Sequence, residues 1–398
     1  MKLKEWKYKR LSECSNFVLE RTSDITIDNY ISTENMIENR GGVKIASTLP
    51  DVKSASAYKP NDILLSNIRP YFCKIWFADK EGSCSNDVLV VRAKKEVDSK
   101  FLYYVLSDQN FFNWDSMTSK GTKMPRGTPN AIMKYYVPDI PLSTQQKIAS
   151  ILSAYDNLIQ NYKKQIQALQ TAASELYKEW FVRFRFPGYQ TAKFENGLPV
   201  GWKIERLGNL AEIKSGKRLP QGYDFSDYPT RHPYIRARDI KHGNIDSNDF
   251  AYISDDVYQK LKRYIVDEND ILLTIVANIG DVGYVNKSFQ GFNLTENAVR
   301  LTNYSERMEP RYLCYYLSQP ATKIYMEGLA VGAAQAKLGI YKIETIKVLL
   351  PNINIQKDFS RRITLIHTKI DNLNKQIINL TQQRDLLLPR LMSGKLEV

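Results

Sequence analysis

The stretch "IPLSTQQKIASILSAYDNLI", residues 140–159, begins a heptad pattern that determines the architecture of this chain. Its apolar positions are spaced alternately four and three residues apart, which is typical of a coiled-coil seam rather than of the wider apolar face of a core helix. Ser143 or Thr144 is predicted to cap this helix, and Pro187-Gly188 is expected to end it. The pattern therefore predicts one long helix over residues 148–180.

The same pattern returns near the carboxyl terminus. Gln146-Lys147 recurs as Gln356-Lys357, 210 positions later, and the heptad positions recur 211 positions later. Arg384, at the position of Ala173, is the one seam residue that is not apolar, and Pro389 is expected to end or kink the second helix. The predicted apolar seam residues are Ile148, Leu152, Tyr155, Ile159, Tyr162, Ile166, Leu169, Leu176 and Trp180 in the first helix, and Phe359, Ile363, Ile366, Ile370, Leu373, Ile377, Leu380, Leu387 and Leu391 in the second.

Shorter matches upstream of the two helices keep the same order, which indicates an internal duplication. They are "EWKYKRL" (5–11) with "GWKIERL" (201–207), "YISTENM" (30–36) with "YIRARDI" (234–240), "KPNDILLS" (59–66) with "DENDILLT" (267–274), and "KFLYYVLS" (100–107) with "RYLCYYLS" (311–318). Because strand-like and helix-like segments are mixed in each half, the pattern predicts α/β (α+β) domains.

The predicted architecture follows from this order. Two α/β domains, residues 1–140 and 188–350, alternate with two long helices, residues 141–187 and 351–398. The helices are expected to pair as an antiparallel two-helix coiled coil that separates two copies of the domain with pseudo-two-fold symmetry. This arrangement also predicts that "LMSGKLEV" at the carboxyl end lies near "MKLKEWKYKR" at the amino end.

The charge of the chain favours a polyanionic partner. The formal net charge is +13 and the pI about 9.3, so nucleic acid is expected before a membrane surface. Four cysteines and three histidines show no zinc-binding spacing, and buried free thiols are predicted. The amino-terminal residues do not look like a secretory signal, and the apolar runs are too short to span a bilayer. These features predict a cytoplasmic protein.

The sequence lacks a recognisable catalytic motif. There is no Asn/Asp-Pro-Pro-aromatic tetrapeptide of amino-methyltransferases and no phosphate-binding GxxxxGK[ST] loop. The glycines of "NIGDVG" (278–283) are interpreted as a turn rather than a cofactor site. We therefore expect a chain that binds its partners and catalyses nothing.

Three segments carry a resemblance to a known family. "PLSTQQKIASIL" (141–152), "LYKEWFVRFRFPGY" (176–189) and "LLLPRLMSGKLEV" (386–398) resemble the DNA-specificity subunit of Type I restriction–modification systems. "LPNINIQKDF" (350–359), at the start of the second helix, departs from the family pattern.

The resemblance implies a function. Each domain would be a target recognition domain that reads one half of a bipartite, asymmetric site in double-stranded DNA, and the helices would fix the spacer between the halves. Two methyltransferase subunits and restriction subunits would be the protein partners. S-adenosylmethionine, ATP and Mg would belong to those subunits, whereas this chain would hold no cofactor and no metal.

Candidate DNA contacts are basic residues in polar or glycine-containing segments, where phosphates and base edges could be reached. In the first half they are Arg40, Arg69, Lys120, Lys123 and Arg126, and in the second half Lys217, Arg218, Arg231, Arg236, Arg238, Lys241 and Lys337.

Two other functions remain compatible with the residues alone. One is a scaffold that binds proteins through the coiled coil and the twin domains, in which case the positive charge would be incidental. The other is a self-sufficient methyltransferase or nuclease, against which the absence of catalytic motifs argues.

Overall fold

The computed structural model describes residues 6–241, 243–246, 249–332, 336–396 and 398. These residues form two compact units. The first unit comprises residues 1–164 and 373–398, and the second comprises residues 165–372. Each of the two long helices therefore contributes part of its length to each unit.

The globular part of the first unit precedes the first long helix. Its strands are β1 (Lys7–Arg10), β2 (Ser15–Phe17), β3 (Arg21–Thr22), β4 (Tyr30–Ile31), β5 (Met36–Ile37), β6 (Gly42–Val43), β7 (Ala55–Tyr58), β8 (Ile63–Ser66), β9 (Ile75–Phe77), β10 (Gly82–Cys84), β11 (Val88–Ala93) and β12 (Tyr136–Asp139). Its helices are α1 (Leu11–Cys14), α2 (Ser99–Ser107), α3 (Gln109–Thr118) and α4 (Pro129–Ile132), and a 3-10 turn spans Pro70–Phe72. The long helix α5 (Leu142–Tyr177) follows.

The second unit repeats this plan. Its strands are β13 (Phe194–Glu195), β14 (Leu198–Pro199), β15 (Lys203–Arg206), β16 (Glu212–Ser215), β17 (Pro233–Ile235), β18 (Ile240–Lys241), β19 (Asn244–Ile245), β20 (Ala251–Tyr252), β21 (Ile271–Thr274), β22 (Val282–Tyr284), β23 (Asn293–Leu294), β24 (Ala298–Thr302) and β25 (Lys347–Leu350). Its helices are α6 (Asp255–Leu261), α7 (Pro310–Leu317), α8 (Pro320–Leu329) and α9 (Ile340–Glu344), and α10 (Ile353–Met392) is the second long helix.

The main sheets of the two units have the same connectivity. The main sheet has the order β2-β11-β8-β9 in the first unit and β16-β24-β21-β22 in the second. A two-stranded sheet pairs β1 with β12 and β15 with β25, antiparallel in both units. A parallel pair joins β4 to β10 and β17 to β23, and β4 and β17 overlap the matching segments "YISTENM" and "YIRARDI". The predicted duplication is thus confirmed for the main sheet, the two-stranded sheet and the parallel pair, whereas the sheet of β4 and β10 also contains β3 and β7 and that of β17 and β23 also contains β20.

The central strands of the main sheets are covered on both faces. Every residue of β8 and of β21 is buried. This explains why both strands read as continuous apolar runs rather than as an alternation of apolar and polar residues. Cys14, Cys73, Cys84 and Cys314 are free and buried, as predicted. Among the described residues, no helix is both long and apolar enough to cross a membrane.

The long helices pack on each other inside each unit. In the first unit, Ile148 and Leu152 of α5 share one core cluster with Leu388 and Leu391 of α10. Every predicted seam residue is buried or half-buried, so the heptad pattern marks the covered side of both helices. The chain ends also meet as predicted, because Gly394 lies against the indole of Trp6.

In the second unit, the end of α5 packs on the start of α10. Trp180 and Phe181 contact Phe359, with ring centroids 6.0 and 5.1 Å apart. A π-helical turn (Lys178–Val182) adds a residue here, and Tyr177 joins the buried face while Leu176 is only half-buried. The helical path thus ends at Val182, before the predicted break at Pro187-Gly188, and Phe184 follows with a φ of 56°.

The predicted cap of α5 and the predicted end of α10 at Pro389 were wrong, whereas a kink at Pro389 stays a prediction. Ser143 and Thr144 lie inside the first turn of α5, because the carbonyl of Pro141 accepts the first hydrogen bonds, from Thr144 N at 2.9 Å and Gln145 N at 3.0 Å. Pro389 does not end α10, which continues to Met392. A proline in the last turn removes one backbone donor but leaves the following residues free to remain helical.

A buried glutamine ties the start of α5 to the start of α2. Gln145 Oε1 accepts a hydrogen bond of 3.0 Å from the backbone N–H of Asp98, the residue that caps α2. Gln145 Nε2 donates to the carbonyl of Ile140 at 2.9 Å. The side chain thus satisfies one backbone donor and one backbone acceptor at once, at the junction between sheet and helices.

The second unit repeats this contact with Gln356. Its Oε1 accepts from the backbone N–H of Glu309 at 3.0 Å, and its Nε2 donates to the carbonyl of Pro351 at 2.8 Å. Gln356 therefore corresponds to Gln145, whereas the sequence match had paired it with Gln146, which is exposed. The offset of 211 positions consequently holds through the helix start, and the predicted local offset of 210 was wrong.

Candidate nucleic-acid interface

One loop in each unit holds a basic residue at the end of a buried strand. In the first unit this loop comprises residues 119–127, and we call it the first loop. The backbone of Arg126 pairs there with the backbones of Lys120 and Ile68. In the second unit the second loop is residues 330–338, of which 333–335 lie outside the described residues. Lys337 makes the matching backbone pairs with Val331 and Val276. The side chains of Arg126 and Lys337 are both exposed.

The anchor behind each loop is the same backbone hydrogen bond. Gly127 N donates to the carbonyl of Asn67 at 3.0 Å, and Leu338 N donates to the carbonyl of Ile275 at 3.0 Å. Each accepting residue follows the buried central strand of its sheet. The sheet therefore positions Arg126 and Lys337, whose side chains lie at the surface next to a buried anchor residue.

In the first unit, the exposed end of Arg126 meets an acidic residue. Arg126 Nη2 lies 3.2 Å from Asp87 Oδ1, and both side chains are more than one-third exposed. Asp87 immediately precedes β11. Lys120 and Lys123 are exposed on the same loop. Arg69 is also nearby, because its backbone N–H donates to the carbonyl of Pro125 at 2.7 Å.

In the second unit, the predicted arginines line a surface cleft. The cleft has a volume of about 470 Å³, and its lining includes Arg218, Arg236, Arg238, Phe225, Thr295 and Asn297. Three of the seven basic residues predicted in this half thus come together at one place. The turn that carries Thr295 and Asn297 directly precedes β24, as the turn of Asp87 precedes β11 in the first unit.

The three arginines of this cleft have different roles. Arg236 is largely buried, and its guanidinium makes a bidentate contact with the carboxylate of Asp239. Nε donates to Oδ2 and Nη2 donates to Oδ1, each at 3.0 Å. Burial opposes its charge, but Asp239 and Asp249 together outweigh that effect and raise the pKa of Arg236. Arg218 and Arg238 are exposed and have exposed or half-buried partners, Glu296 at 3.4 Å and Asp249 at 2.7 Å. Arg236 shapes the cleft, whereas Arg218 and Arg238 are available to a ligand.

Part of the cleft has no counterpart in the first unit. Arg218 and Phe225 belong to the connection between β16 and β17, residues 216–232. The matching connection in the first unit, residues 18–29 between β2 and β4, is shorter. The ring of Phe225 packs edge-on against Tyr234, with centroids 5.2 Å apart, and its side chain remains partly exposed. The two units therefore offer different chemistry on the same scaffold.

The structure places the other predicted basic residues elsewhere. Arg40 donates to the carbonyl of Ser107 and lines a cavity with Asp385 and Leu388 of α10. Arg231 pairs with Asp255 at the start of α6, 2.5 Å away. Lys241 pairs with Asp246 at 2.9 Å in the β18–β19 hairpin. Lys217 is exposed beside Arg218, and its carbonyl accepts a hydrogen bond from Tyr234.

The polar residues beside these arginines were not predicted from the sequence. Asp87, Glu296 and Asn297 come directly before the last strand of each main sheet, in "SNDVLVV" (85–91) and "TENAVRL" (295–301). A polar pair preceding an apolar strand is a detectable signal, because residues at that position emerge at a sheet edge. Among the described residues, we find no group of three or more His, Cys, Asp or Glu side chains that could hold a metal ion.

Two α/β units share the same main sheet, and each has exposed basic side chains beside that sheet, which is the pattern of a duplicated domain. The comparisons with known proteins specify the class of this domain. The family described as the Type I restriction modification DNA specificity domain matches residues 4–171 and again residues 199–382. The chain therefore belongs to this family, and the resemblance seen in the helix segments is confirmed.

Characterised relatives and a solved structure agree with this assignment. The chain is 28% identical to the Type I restriction enzyme MjaIX specificity subunit of Methanocaldococcus jannaschii, over 77% of this chain and 71% of that protein. It is 23% identical to the MjaVIII specificity subunit of the same organism, over 99% and 93% of the two chains. The fold is similar to that of the crystal structure of the Type I restriction-modification S subunit from M. genitalium, with a TM-score of 0.61, 19% identity and 98% of both chains covered.

Proposed function

We propose that this chain gives a Type I restriction–modification complex its DNA sequence specificity. Each unit would read one half of a bipartite site in double-stranded DNA, through the first loop or the second loop and the adjacent sheet edge. In the first unit the proposed contacts are Lys120, Lys123, Arg126 and Arg69. In the second unit they are Lys217, Arg218, Arg238 and Lys337.

The observation that carries this proposal is the contrast between a repeated scaffold and unrepeated surface residues. The anchor bond of the loop is the same in both units, Gly127 to Asn67 and Leu338 to Ile275. The side chains presented there differ, with an Arg126–Asp87 pair in one unit and the arginine cleft in the other. Two such surfaces would recognise different base sequences, so the proposed site is asymmetric.

The long helices would act as the spacer. We propose that α5 and α10 pair along their heptad seam as an antiparallel coiled coil and hold two DNA-reading units at a fixed separation. The half-sites would then lie roughly one helical turn of DNA apart, the spacing that tethered readers on one face of a duplex require. The contacts of α5 with α10 inside each unit support this pairing.

The chemistry would reside in the partners. We propose two methyltransferase subunits that bind S-adenosylmethionine and flip an adenine out of each half-site, and restriction subunits that use ATP and Mg. This chain would supply recognition and catalyse nothing. The same proposal implies that the chain is located in the cytoplasm, because the DNA lies there.

A binding experiment separates this function from a protein-binding scaffold. The chain, assembled with the methyltransferase subunits of its source, is titrated with duplex DNA at low and moderate salt. We expect tight binding to duplexes that contain the recognised site and much weaker, salt-sensitive binding to random duplex. Equal affinity for every duplex tested at moderate salt would contradict the proposal.

A further inference from the structure

A carboxyl group is buried without a hydrogen-bond partner behind the first loop. Asp115, on α3, is fully buried, and neither of its carboxyl oxygens has a partner. Asn67 Oδ1, at the end of β8, is also buried without a partner. Unsatisfied buried polar atoms are rare and costly, so three of them at one place require an explanation.

Gly127 brings these oxygens together at the anchor of the first loop. A Cβ atom added to Gly127 would lie 2.5 Å from Asp115 Oδ1 and 2.9 Å from Asn67 Oδ1. Gly127 is also the residue whose N–H bonds to the Asn67 carbonyl, and it directly follows Arg126. The two side-chain oxygens therefore converge on the point that fixes the position of Arg126.

The second unit has an apolar version of the same anchor. Met326, Ile275 and Leu338 occupy the positions of Asp115, Asn67 and Gly127, and all three are buried in one hydrophobic cluster. The backbone bond from Leu338 to Ile275 is retained. Leu338 of the second loop is thus held by apolar side chains that have no titratable group, whereas Gly127 of the first loop lies against the ionisable carboxyl group of Asp115.

Two facing acceptor oxygens need a proton between them. A neutral Asp115 carboxyl would be able to donate its O–H to Asn67 Oδ1, and this bond would satisfy both oxygens. An ionised Asp115 would need the Asn67 amide turned so that Nδ2 faces it, and its remaining acceptor sites would still need water or other donors.

Among the described residues, no charged group on the surrounding elements forms a hydrogen bond with Asp115, although Arg69 Nε is also buried without a partner. Arg126, on the loop, pairs with Asp87 at the surface, and Lys120 is exposed. Arg69, on the segment after β8, has its guanidinium over the ring of Phe72. Asp108, at the start of α3, accepts from the backbone N–H of Asn110. Burial alone raises the pKa of Asp115, to about 7.

We propose that Asp115 is a positioning residue whose neutral carboxyl group anchors the first loop, and that its ionisation loosens this loop and weakens DNA binding by the first unit only. This inference rests on the proposed function, because it assigns the first loop to DNA. The second unit, with Met326 at the equivalent position, would keep its contact at every pH at which the protein is folded.

The test compares pH profiles of DNA binding. The full chain, assembled with its methyltransferase subunits, is titrated at pH 6 and pH 8 with a duplex carrying the motif methylated in the source genome. If binding requires the neutral form, about one-tenth of the protein is competent at pH 8, so the wild-type affinity should fall about tenfold. Asp115→Asn keeps a donor towards Asn67 but does not titrate, and its affinity should change by less than about twofold.

Controls separate this role from a merely structural one. Asp51→Asn removes an exposed carboxylate of the same unit and should retain the wild-type pH profile. Asp115→Met introduces the residue of the second unit and provides a second non-titrating variant if Asp115→Asn is poorly folded. An infrared band of a protonated carboxylic acid, present at pH 6 and absent from Asp115→Asn, is expected independently of DNA.

The outcomes are distinct. A tenfold fall that persists in both Asp115 variants would overturn the inference, as would a flat wild-type profile. In either case binding to the site itself would still stand, so the proposed function would survive. Failure of the complex to prefer its site at any pH would contradict the proposed function.

Discussion

Arg384 and Asp156 form an ion pair between the two long helices within the first unit, with Nη1 of the arginine 2.6 Å from Oδ1 of the aspartate. The hydroxyl of Tyr104 donates to the other oxygen of Asp156, also at 2.6 Å. Asp385 is a second partner of Arg384, at 2.8 Å. The single polar residue of the predicted seam is thus neutralised by partners that only the folded chain brings together.

Removing Arg384 should destabilise the protein strongly. Both members of the pair are mostly buried, and a buried carboxylate deprived of its partner costs about 3 kcal/mol. Arg384→Ala should therefore lower the free energy of unfolding by about that amount in urea titrations. Arg390→Ala, a change at an exposed arginine of the same helix, serves as the control. Equal unfolding midpoints for the two variants would show that the ion pair contributes nothing.

The two buried glutamines should be equivalent in their effect on stability. Gln145→Ala and Gln356→Ala each leave a part-buried backbone donor and a buried backbone acceptor without this partner, which costs about 2–4 kcal/mol. Gln146→Ala changes an exposed side chain next to Gln145 and should cost less than about 0.5 kcal/mol. Denaturant unfolding of the three variants measures the difference. A larger loss for Gln146→Ala than for Gln145→Ala would restore the alignment first read from the sequence.

Charge removal should separate DNA contacts from structural arginines. Arg218→Gln or Arg126→Gln should reduce the slope of log affinity against log salt concentration by about one, because one phosphate contact disappears. Lys123→Gln is expected to act in the same way. Arg40→Gln should leave the slope unchanged, since its guanidinium bonds to the Ser107 carbonyl. An unchanged slope for Arg218→Gln would remove this residue from the interface.

His367 should make stability fall in mild acid. Burial, helped by the charge of Arg311, lowers the pKa of His367 to about 4. The unfolded chain takes up this proton near pH 6.5, so the contribution is complete above pH 6.5 and is lost as the pH falls towards 4. The loss is at most about 3 kcal/mol.

The matched variant for this prediction is His367→Gln, which can keep a hydrogen bond with the hydroxyl of Tyr315, 2.9 Å from Nε2 in the native protein. Unfolding titrations across that pH range should show a flatter profile for the variant. The same acid dependence in both proteins would assign the effect to other groups.

The sequence predicted the repeated elements well because their signal is periodic. The heptad seam and the duplicated strands depend on patterns that a single chain displays directly, and the structure follows them. The partner of Arg384 could not be predicted in this way, because Asp156 is 228 positions distant along the chain. The π-helical turn at Lys178–Val182 was likewise invisible, since it shifts the buried face by one residue without a distinctive composition.

For the candidate interface, the sequence predicted the types of residue but not the contacts that each residue makes. Basic residues in loops were identified, but whether a given arginine faces solvent or an internal carboxylate depends on tertiary contacts. Arg236 and Arg238 are two residues apart, yet Arg236 is held by buried Asp239 while the side chain of Arg238 is 64% exposed. Gly127 gave no sequence signal either, because its importance derives from the oxygens of Asp115 and Asn67 that lie against it.

The most direct test of the account is a map of methylated bases in the source genome. The proposal that the two units read separate half-sites across a helical spacer predicts methylated adenines in a two-part, asymmetric motif with a constant gap of roughly one helical turn. Disruption of the gene for this chain should abolish those marks and no others. A continuous or palindromic motif without a gap, lost on the same disruption, would contradict the proposal that the two units read separate half-sites.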